Sequence, residues 1–237
     1  MPGPSPQTVP RSYISRVKSG IPGLDKLIEG GFVKNSVNLL TGETGTGKTI
    51  FGSQFLWEGL KAGEPGLYIT LEEGPDELRR DVKQFGWDFP KFEKKGLCQI
   101  VYYDPAQTAN IASAIMSEIE SMKAQRLVID STSVLGLTLE QPMLIRRKLL
   151  GLINAIKRNQ NCTGLLITEI PEESKALSRF GVEEFVADSV TVLNYLGIGQ
   201  ETMRSLIVRK MRRTNHGKDV YPLVIGTKGI VVKKVEI

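Results

Sequence analysis

One glycine-rich stretch carries the residue types that bind phosphate groups. Residues 42–49 read GETGTGKT, the pattern G-x-x-x-x-G-K-[ST], and they follow the apolar run SVNLL at 36–40. Glycines let backbone N–H groups converge on phosphate oxygens, a lysine brings a positive charge to the β- and γ-phosphates, and a threonine hydroxyl can ligate Mg²⁺. A strand before this loop and a helix after it form the context that binds a nucleoside triphosphate. The predicted site comprises Gly42, Glu43, Thr44, Gly45, Thr46, Gly47, Lys48, Thr49 and Ile50.

Three acidic residues stand at the ends of apolar runs, where hydrolysis of a triphosphate needs them. RLVID ends in Asp130, and we expect Asp130 to hold Mg²⁺ together with Thr49, through a water. YITLEE ends in Glu72 and Glu73, and at least one of the two is predicted to orient or deprotonate the attacking water. Adjacent strand residues point to opposite faces, so only one glutamate should face the γ-phosphate unless the strand has already ended. A structural role stays open for each: a strand-end turn for Asp130, and complementation of a helix dipole for the glutamates.

The elements that must position these residues alternate along the chain. Stretches with helical spacing separate five apolar runs, which are 36–40, 66–71, 97–103, 126–130 and 164–168. This alternation predicts an α/β fold with a mostly parallel central sheet flanked by helices, and runs that are apolar throughout are typical of strands buried on both faces. After about residue 186 the apolar runs follow one another without helical stretches. That change predicts an antiparallel C-terminal extension of the same sheet.

Length and composition fit one α/β domain in a reducing compartment. The chain has 237 residues, 41% hydrophobic and 24% charged, and its apolar runs are too short for a membrane span. Four prolines in the first ten residues predict a disordered arm over 1–15, followed by a single domain over 16–237. Cys98 and Cys162 have no metal-ligand spacing and are expected to be buried or partly buried free thiols. We therefore expect a cytoplasmic protein.

Several longer segments together resemble a KaiC-type domain, a branch of the RecA-like P-loop ATPases. RFGVEEFVAD at 179–188 and KMRRTNH at 210–216 are more specific to that family than the P-loop is. The other matching segments are SGIPGLDKLIEGGF, the P-loop, LYITLEEGPDEL, FGWDF and the strand that ends in Asp130. The resemblance implies a RecA-like P-loop core with a β extension and a site for ATP or ADP with Mg²⁺. It also implies a homohexameric ring with the nucleotide between neighbouring subunits.

The same resemblance assigns one segment to the nucleotide of the neighbouring subunit. Carried over by motif, its residues are Lys210, Met211, Arg212, Thr214 and His216. In the family the lysine and arginine face the γ-phosphate, much as an arginine finger does, while the threonine and histidine approach the sugar and phosphates. The clock protein of the family autophosphorylates on a Ser-Thr pair in its second domain, and the matching stretch here reads Glu184-Phe185. Autophosphorylation at that place is therefore not expected.

Three functions stay open at this point. The first is a Mg²⁺-dependent ATPase that forms a ring and acts as a nucleotide switch for a protein partner of unknown identity. The second is a RecA/RadA-like ATPase on DNA: nine Lys or Arg against three Asp or Glu from Glu201 onward allow it, but the loops at 131–142 and 170–184 carry more acids than bases. Nucleic acid is thus an open but not a favoured partner. The third is a regulatory scaffold that binds nucleotide without significant turnover.

Overall fold

The computed structural model describes residues 14–108, 110–136, 141–159, 161–171, 176–198 and 201–234, so most of the predicted arm over 1–15 lies outside it. The strands of the described residues are β1 (Arg16–Val17), β2 (Phe32–Val33), β3 (Val37–Gly42), β4 (Gly66–Thr70), β5 (Cys98–Tyr102), β6 (Arg126–Asp130), β7 (Thr163–Glu169), β8 (Ser189–Ile198), β9 (Glu201–Met211), β10 (Tyr221–Gly226) and β11 (Gly229–Val232). The α-helices are α1 (Leu24–Leu27), α2 (Lys48–Lys61), α3 (Pro75–Lys83), α4 (Phe89–Glu93), α5 (Ile111–Met122), α6 (Pro142–Arg158) and α7 (Glu183–Val186), and a 3₁₀ helix spans Thr132–Gly136.

One large sheet organises the chain. Its strand order is β11-β10-β9-β8-β3-β7-β6-β4-β5. The strands from β8 to β5 in that order pair in parallel, whereas β8 with β9, β9 with β10 and β10 with β11 pair antiparallel. Parallel strands run in the same direction, so the carboxyl ends of β3, β4, β6 and β7 lie side by side. This row of strand ends is called here the carboxyl edge of the sheet, and the row of strand starts is the opposite edge. The predicted α/β class, with a mostly parallel core and an antiparallel C-terminal extension, is confirmed.

Helices cover the parallel strands on both faces. On one face the apolar side of α2, including Phe51 and Phe55, packs in a cluster with Leu40 and Tyr68 of the sheet. On the other face α5 and α6 pack in a second cluster with alternate strand residues such as Leu39. Side chains alternate across a strand, so a central strand needs apolar residues at successive positions to serve both clusters. This requirement explains the unbroken apolar runs of the sequence.

The structure also shows the environment of the two cysteines and the character of the helices. Cys98 and Cys162 are buried free thiols, and burial raises the pKa of each to about 12. Among the helices that the structure describes, none has the length and apolar character needed to cross a membrane.

Candidate functional site

The loop between β3 and α2 is shaped to receive an anion. β3 ends at Gly42 and α2 begins at Lys48, while Gly45 (φ 75°) and Gly47 (φ 102°) adopt left-handed backbone conformations that glycine tolerates best. A Cβ on Gly47 would lie 2.9 Å from Ile225 Cδ1. The N-cap residue of α2 is Gly47, which has no side chain to cap the helix, and the first N–H groups of α2 have no partner inside the helix. Those amides and the positive end of the helix dipole can bind phosphate oxygens.

The Lys48 side chain lies across the same loop. Its Nζ donates to the Glu43 carbonyl at 2.9 Å, and that carbonyl also accepts a hydrogen bond from Thr46 Oγ1 at 2.7 Å. Burial lowers the pKa of Lys48, and the nearby carboxylates, of which Glu169 and Asp130 contribute most, oppose that shift. The ammonium therefore has a local acceptor that a phosphate can replace.

Asp130 lies beside the first turn of α2, at the carboxyl end of β6. Its Oδ2 accepts a hydrogen bond from Thr49 Oγ1 at 2.8 Å and another from Tyr68 Oη at 2.8 Å. Burial raises the pKa of Asp130, and these two hydrogen bonds act in the opposite direction. Thr49 and Asp130, far apart in sequence, are thus brought into direct contact.

The oxygen atoms of this pair fit Mg²⁺. Mg²⁺ prefers oxygen ligands and is commonly held by one or two protein groups together with substrate phosphates and waters. Within the described ranges no group of three or more His, Cys, Asp or Glu could hold a metal ion by itself. A hydroxyl and a carboxylate beside a phosphate-binding loop therefore match a Mg²⁺ site that is completed by the nucleotide, and match poorly a metal held by protein alone.

The two glutamates lie beyond the end of their strand. β4 ends at Thr70, so the alternation of strand side chains does not decide which of Glu72 and Glu73 faces the site. A Glu72 carboxylate oxygen accepts a short hydrogen bond from Ser131 Oγ, in the residue after Asp130. Burial, followed by the charge of Asp130, raises the pKa of Glu73 to about 7. Both glutamates are at the edge of the sheet where the P-loop lies, and each stays a candidate for the base.

The segment that runs from Lys210 to His216, called here the cation segment, begins at the opposite edge of the sheet. Met211 at the end of β9 pairs with Ser189, and Ser189 pairs with Asn38 near the start of β3. The P-loop follows the other end of β3, about 13 Å further along at the usual rise per residue. Within one chain the cation segment therefore does not adjoin the P-loop.

Internal acceptors hold the two leading cations of this segment. Lys210 Nζ donates to the carbonyls of Glu184 and Ala187 at 2.9 and 2.7 Å, and burial lowers its pKa. Arg212 Nη1 lies 3.5 Å from Asp188 Oδ1, and the Arg212 side chain is 53% exposed. The lysine is thus anchored at the carboxyl end of α7, while the arginine is only loosely tethered.

The other members of the cation segment have different environments. Met211 is buried in the core, so only its backbone could line a neighbouring site. Thr214 Oγ1 accepts a hydrogen bond from Arg16 Nη1 at 3.0 Å, and His216 Nδ1 lies 2.8 Å from the carbonyl oxygen of Gly217. Their predicted contacts with a nucleotide stay predictions.

Among the residues that contact the predicted ones, sequence reasoning missed Tyr68, Ser131 and Asp188. Tyr68 and Ser131 hold Asp130 and Glu72, and Asp188 accepts from Arg212, from Lys157 Nζ at 2.9 Å and from the Val37 amide at 3.0 Å. A tyrosine inside an apolar strand indicates core packing, and only the pairing of β4 with β6 reveals its hydroxyl partner. Asp188 ends the family-like segment RFGVEEFVAD, which was the one available signal.

Comparisons with known proteins identify the family of the chain. A family model described as "ATPase: KaiC" matches residues 17–236. A UPF0273 protein of Pyrococcus horikoshii is 36% identical over 234 residues, which cover 92% of this chain and 93% of that protein. Among solved structures, a KaiC-like protein of the hyperthermophilic archaeon Pyrococcus horikoshii gives a TM-score of 0.84 at 46% identity, over 93% of this chain and 100% of that chain.

A longer relative also matches. The circadian clock protein KaiC3 of Synechocystis is 34% identical over 231 residues, covering 92% of this chain and 46% of KaiC3, so this chain spans about half of that relative. The family match extends over nearly the whole chain and includes the loop, the acids and the cation segment. The resemblance found in the sequence is confirmed: the chain belongs to the KaiC family of ATP-binding P-loop ATPases.

Proposed function

We propose that this chain is a Mg²⁺-dependent ATPase that forms a homohexameric ring and acts as a nucleotide switch, with one ATP at each subunit interface. The observation that carries the proposal is a separation within one chain. The P-loop and the acids gather at one edge of the sheet, and Lys210 and Arg212 lie at the other. A ring of identical head-to-tail subunits brings one such edge against the other at every interface.

On the P-loop side, the chain binds the triphosphate and prepares the water. The loop amides and Lys48 bind the β- and γ-phosphates, and Thr49 and Asp130 hold Mg²⁺, Asp130 through a water. When bound there, Mg²⁺ would neutralise charge on the phosphate oxygens. Glu72 or Glu73 accepts a proton from the attacking water. The oxygen of that water bonds to the γ-phosphorus while the bond between the γ-phosphorus and the β–γ bridging oxygen breaks. The products are ADP and inorganic phosphate.

On the other side of the interface, the neighbouring copy supplies the cation segment. Lys210 and Arg212 stabilise the negative charge on the transferring phosphoryl group, and Thr214 and His216 approach the sugar and phosphates. Autophosphorylation is not part of the proposal, because Glu184 and Phe185 carry no hydroxyl. Clock function is a property named for relatives such as KaiC3 and is not proposed for this chain.

The experiment that tests the proposal measures mass and turnover on the same sample. Light scattering after size exclusion is run without nucleotide, with ADP and Mg²⁺, and with ATP and Mg²⁺, and phosphate release is measured with and without EDTA and single-stranded DNA. We expect a ring with ATP and Mg²⁺, phosphate release that EDTA stops, and no response to DNA. A fully active monomer contradicts the ring, several-fold stimulation by DNA favours a DNA-associated ATPase, and binding without turnover favours a scaffold.

A further inference from the structure

Two side chains from neighbouring strands hold one carbonyl group of the P-loop. Tyr195 on β8 donates its hydroxyl to the Gly45 carbonyl oxygen at 2.6 Å, and Arg204 on β9 donates Nε to the same oxygen at 3.2 Å. The two residues face each other directly across the β8–β9 ladder. They also contact each other, since Arg204 Nη2 lies 3.4 Å from Tyr195 Oη and the guanidinium lies 5.3 Å from the ring centroid.

Gly45 is the residue of the loop at which such a contact has the most effect. Its φ of 75° is accessible to glycine along with many other conformations, so the Gly45–Thr46 peptide has little intrinsic preference for one orientation. The phenol also fills the space beside it, because a Cβ on Gly45 would lie 2.9 Å from Tyr195 Oη. The two strands therefore restrain a backbone unit that glycine leaves free.

The direction of that restraint matters for anion binding. The C=O and N–H of one trans peptide point in opposite directions. With the Gly45 carbonyl oriented toward β8 and β9, the Thr46 N–H points back into the loop, where it donates a long hydrogen bond (N to O 3.5 Å) to the Glu43 carbonyl, the same local acceptor that Lys48 uses. The opposite orientation would direct a carbonyl oxygen at the phosphates and repel them.

We propose that Tyr195 and Arg204 are positioning residues for the nucleotide: they fix the Gly45–Thr46 peptide so that the loop presents N–H groups to the phosphates before ATP binds. The proposal rests on the proposed function only in that the loop binds ATP. It adds two residues that lie outside the loop motif and more than 140 positions further along the chain. Preorganisation of a site lowers the cost of binding, so the effect belongs in affinity for ATP and not in the chemical step.

The test uses the full chain with ATP and Mg²⁺ and compares Tyr195→Phe, Arg204→Met and the double variant with wild type. The matched control is Tyr103→Phe, which also removes a hydroxyl that donates one hydrogen bond, to Glu118 Oε1 at 2.9 Å. Tyr103 follows β5, the outermost strand of the sheet, four strands away from β3 and its P-loop. The measurements are the Kd for ATP by calorimetry, KM and kcat from phosphate release, and the Tm without nucleotide.

We expect the Kd and KM for ATP to rise about threefold in each single variant and about tenfold in the double variant, from the usual worth of one lost hydrogen bond. In all three, kcat should stay within about twofold of wild type, and the Tm without nucleotide should change no more than in Tyr103→Phe. A Kd unchanged in the double variant overturns the proposal. A Kd for ATP that rises in Arg204→Met but not in Tyr195→Phe also overturns the proposal, because the Arg204 guanidinium would then act without the tyrosine. If wild type binds no ATP, the proposed function fails instead, which the Kd of wild type reveals independently.

Discussion

The P-loop edge and the cation segment differ in where their partners come from. At the P-loop edge the partners are already present in one chain: Thr49 contacts Asp130, Ser131 contacts Glu72, and Lys48 lies on a loop carbonyl. In the cation segment, Lys210 is held by two carbonyls and Arg212 extends toward solvent with a weak tether to Asp188. Under the proposed function, the first region binds the nucleotide and the second contributes cations to the nucleotide of a neighbouring copy.

The contrast also separates the two cations from each other. Lys210 must give up two hydrogen bonds of 2.9 and 2.7 Å before it can face a neighbouring phosphate, whereas the Arg212 side chain has, among the described residues, one contact at 3.5 Å to lose. Burial lowers the pKa of Lys210, an effect that a free solvent-exposed lysine would lack. Arg212 is therefore the better candidate for direct contact with a neighbour's γ-phosphate, and Lys210 the better candidate for fixing the segment on α7.

The largest effect is expected from Lys48→Ala. The loop loses its only lysine, so ATP binding or turnover should fall by at least about a hundredfold, the scale of losing one fixed charge at a developing anion. The measurement is phosphate release together with calorimetric ATP binding. Lys61→Ala, at the exposed end of the same helix, is the control and should match wild type. Hydrolysis at the wild-type rate in Lys48→Ala would remove the P-loop from the mechanism.

Arg212→Ala tests the other region and should lower turnover by about a hundredfold while the chain stays folded, since an arginine of this kind acts on the transition state. Arg158→Ala, an exposed arginine on α6, is the control. The sharper measurement mixes two inactive proteins, Lys48→Ala and Arg212→Ala, in equal amounts and lets them assemble together.

Mixing should restore activity if each site is shared between two copies. An interface is active when an Arg212→Ala subunit supplies the intact loop and a Lys48→Ala subunit supplies the intact arginine. In an equal mixture each of these two conditions holds about half of the time, so about a quarter of the interfaces are active. We therefore expect about a quarter of the wild-type phosphate release, with neither variant active by itself. No recovery in mixtures that form rings of normal mass would place both residues in the site of one chain and contradict the shared site.

The glutamates give the next effect. Glu72→Gln combined with Glu73→Gln should leave ATP bound but slow its hydrolysis by at least about tenfold, the usual contribution of a general base. The single variants then show which glutamate is needed for hydrolysis. The control is Glu77→Gln, which makes the same substitution at an exposed glutamate in the first turn of α3. Equal phosphate release in the double variant and wild type would assign the pair to structure.

How far the sequence alone leads differs between the same two regions. The P-loop, Asp130 and the glutamate pair could be predicted because each lies at the end of an apolar run, and the ends of parallel strands meet at one edge. The start of α2 at Lys48 and the end of β6 at Asp130 agree with that reasoning. Local spacing was enough to place these residues because they lie at or just beyond strand ends.

The other contacts of the site depend on which strands pair in the sheet, and the spacing of residues along the sequence does not reveal that pairing. Tyr195 and Arg204 reach the loop only because β8 pairs with β3 on one side and with β9 on the other. Nothing in an apolar run identifies its neighbours in a sheet, so these contacts and that of Tyr68 with Asp130 follow from the fold and not from the sequence pattern. The cation segment was assigned by family resemblance alone. The fold places it away from its own P-loop, and its contact with a neighbouring nucleotide stays a prediction.

The smallest effect is a pH dependence that tells the two glutamates apart. The pKa of Glu73 is raised to about 7 by burial and by the charge of Asp130, from an ordinary value of 4.5. A base must be ionised to accept a proton, and the ionised fraction of a group with that pKa rises about tenfold between pH 6 and pH 8. If Glu73 is the base, kcat/KM should rise about tenfold over that interval, and Glu73→Gln should lose the rise together with most of the activity. The same shift has a stability counterpart without nucleotide, because a carboxyl whose pKa is raised by folding contributes stability that is fully present below pH 4.5 and is lost as the pH rises to about 7. The wild-type free energy of unfolding should therefore decline over that interval more than that of Glu73→Gln. A kcat/KM that stays flat from pH 6 to pH 8, with activity lost in Glu72→Gln alone, would give the role to Glu72, which Ser131 already holds in place.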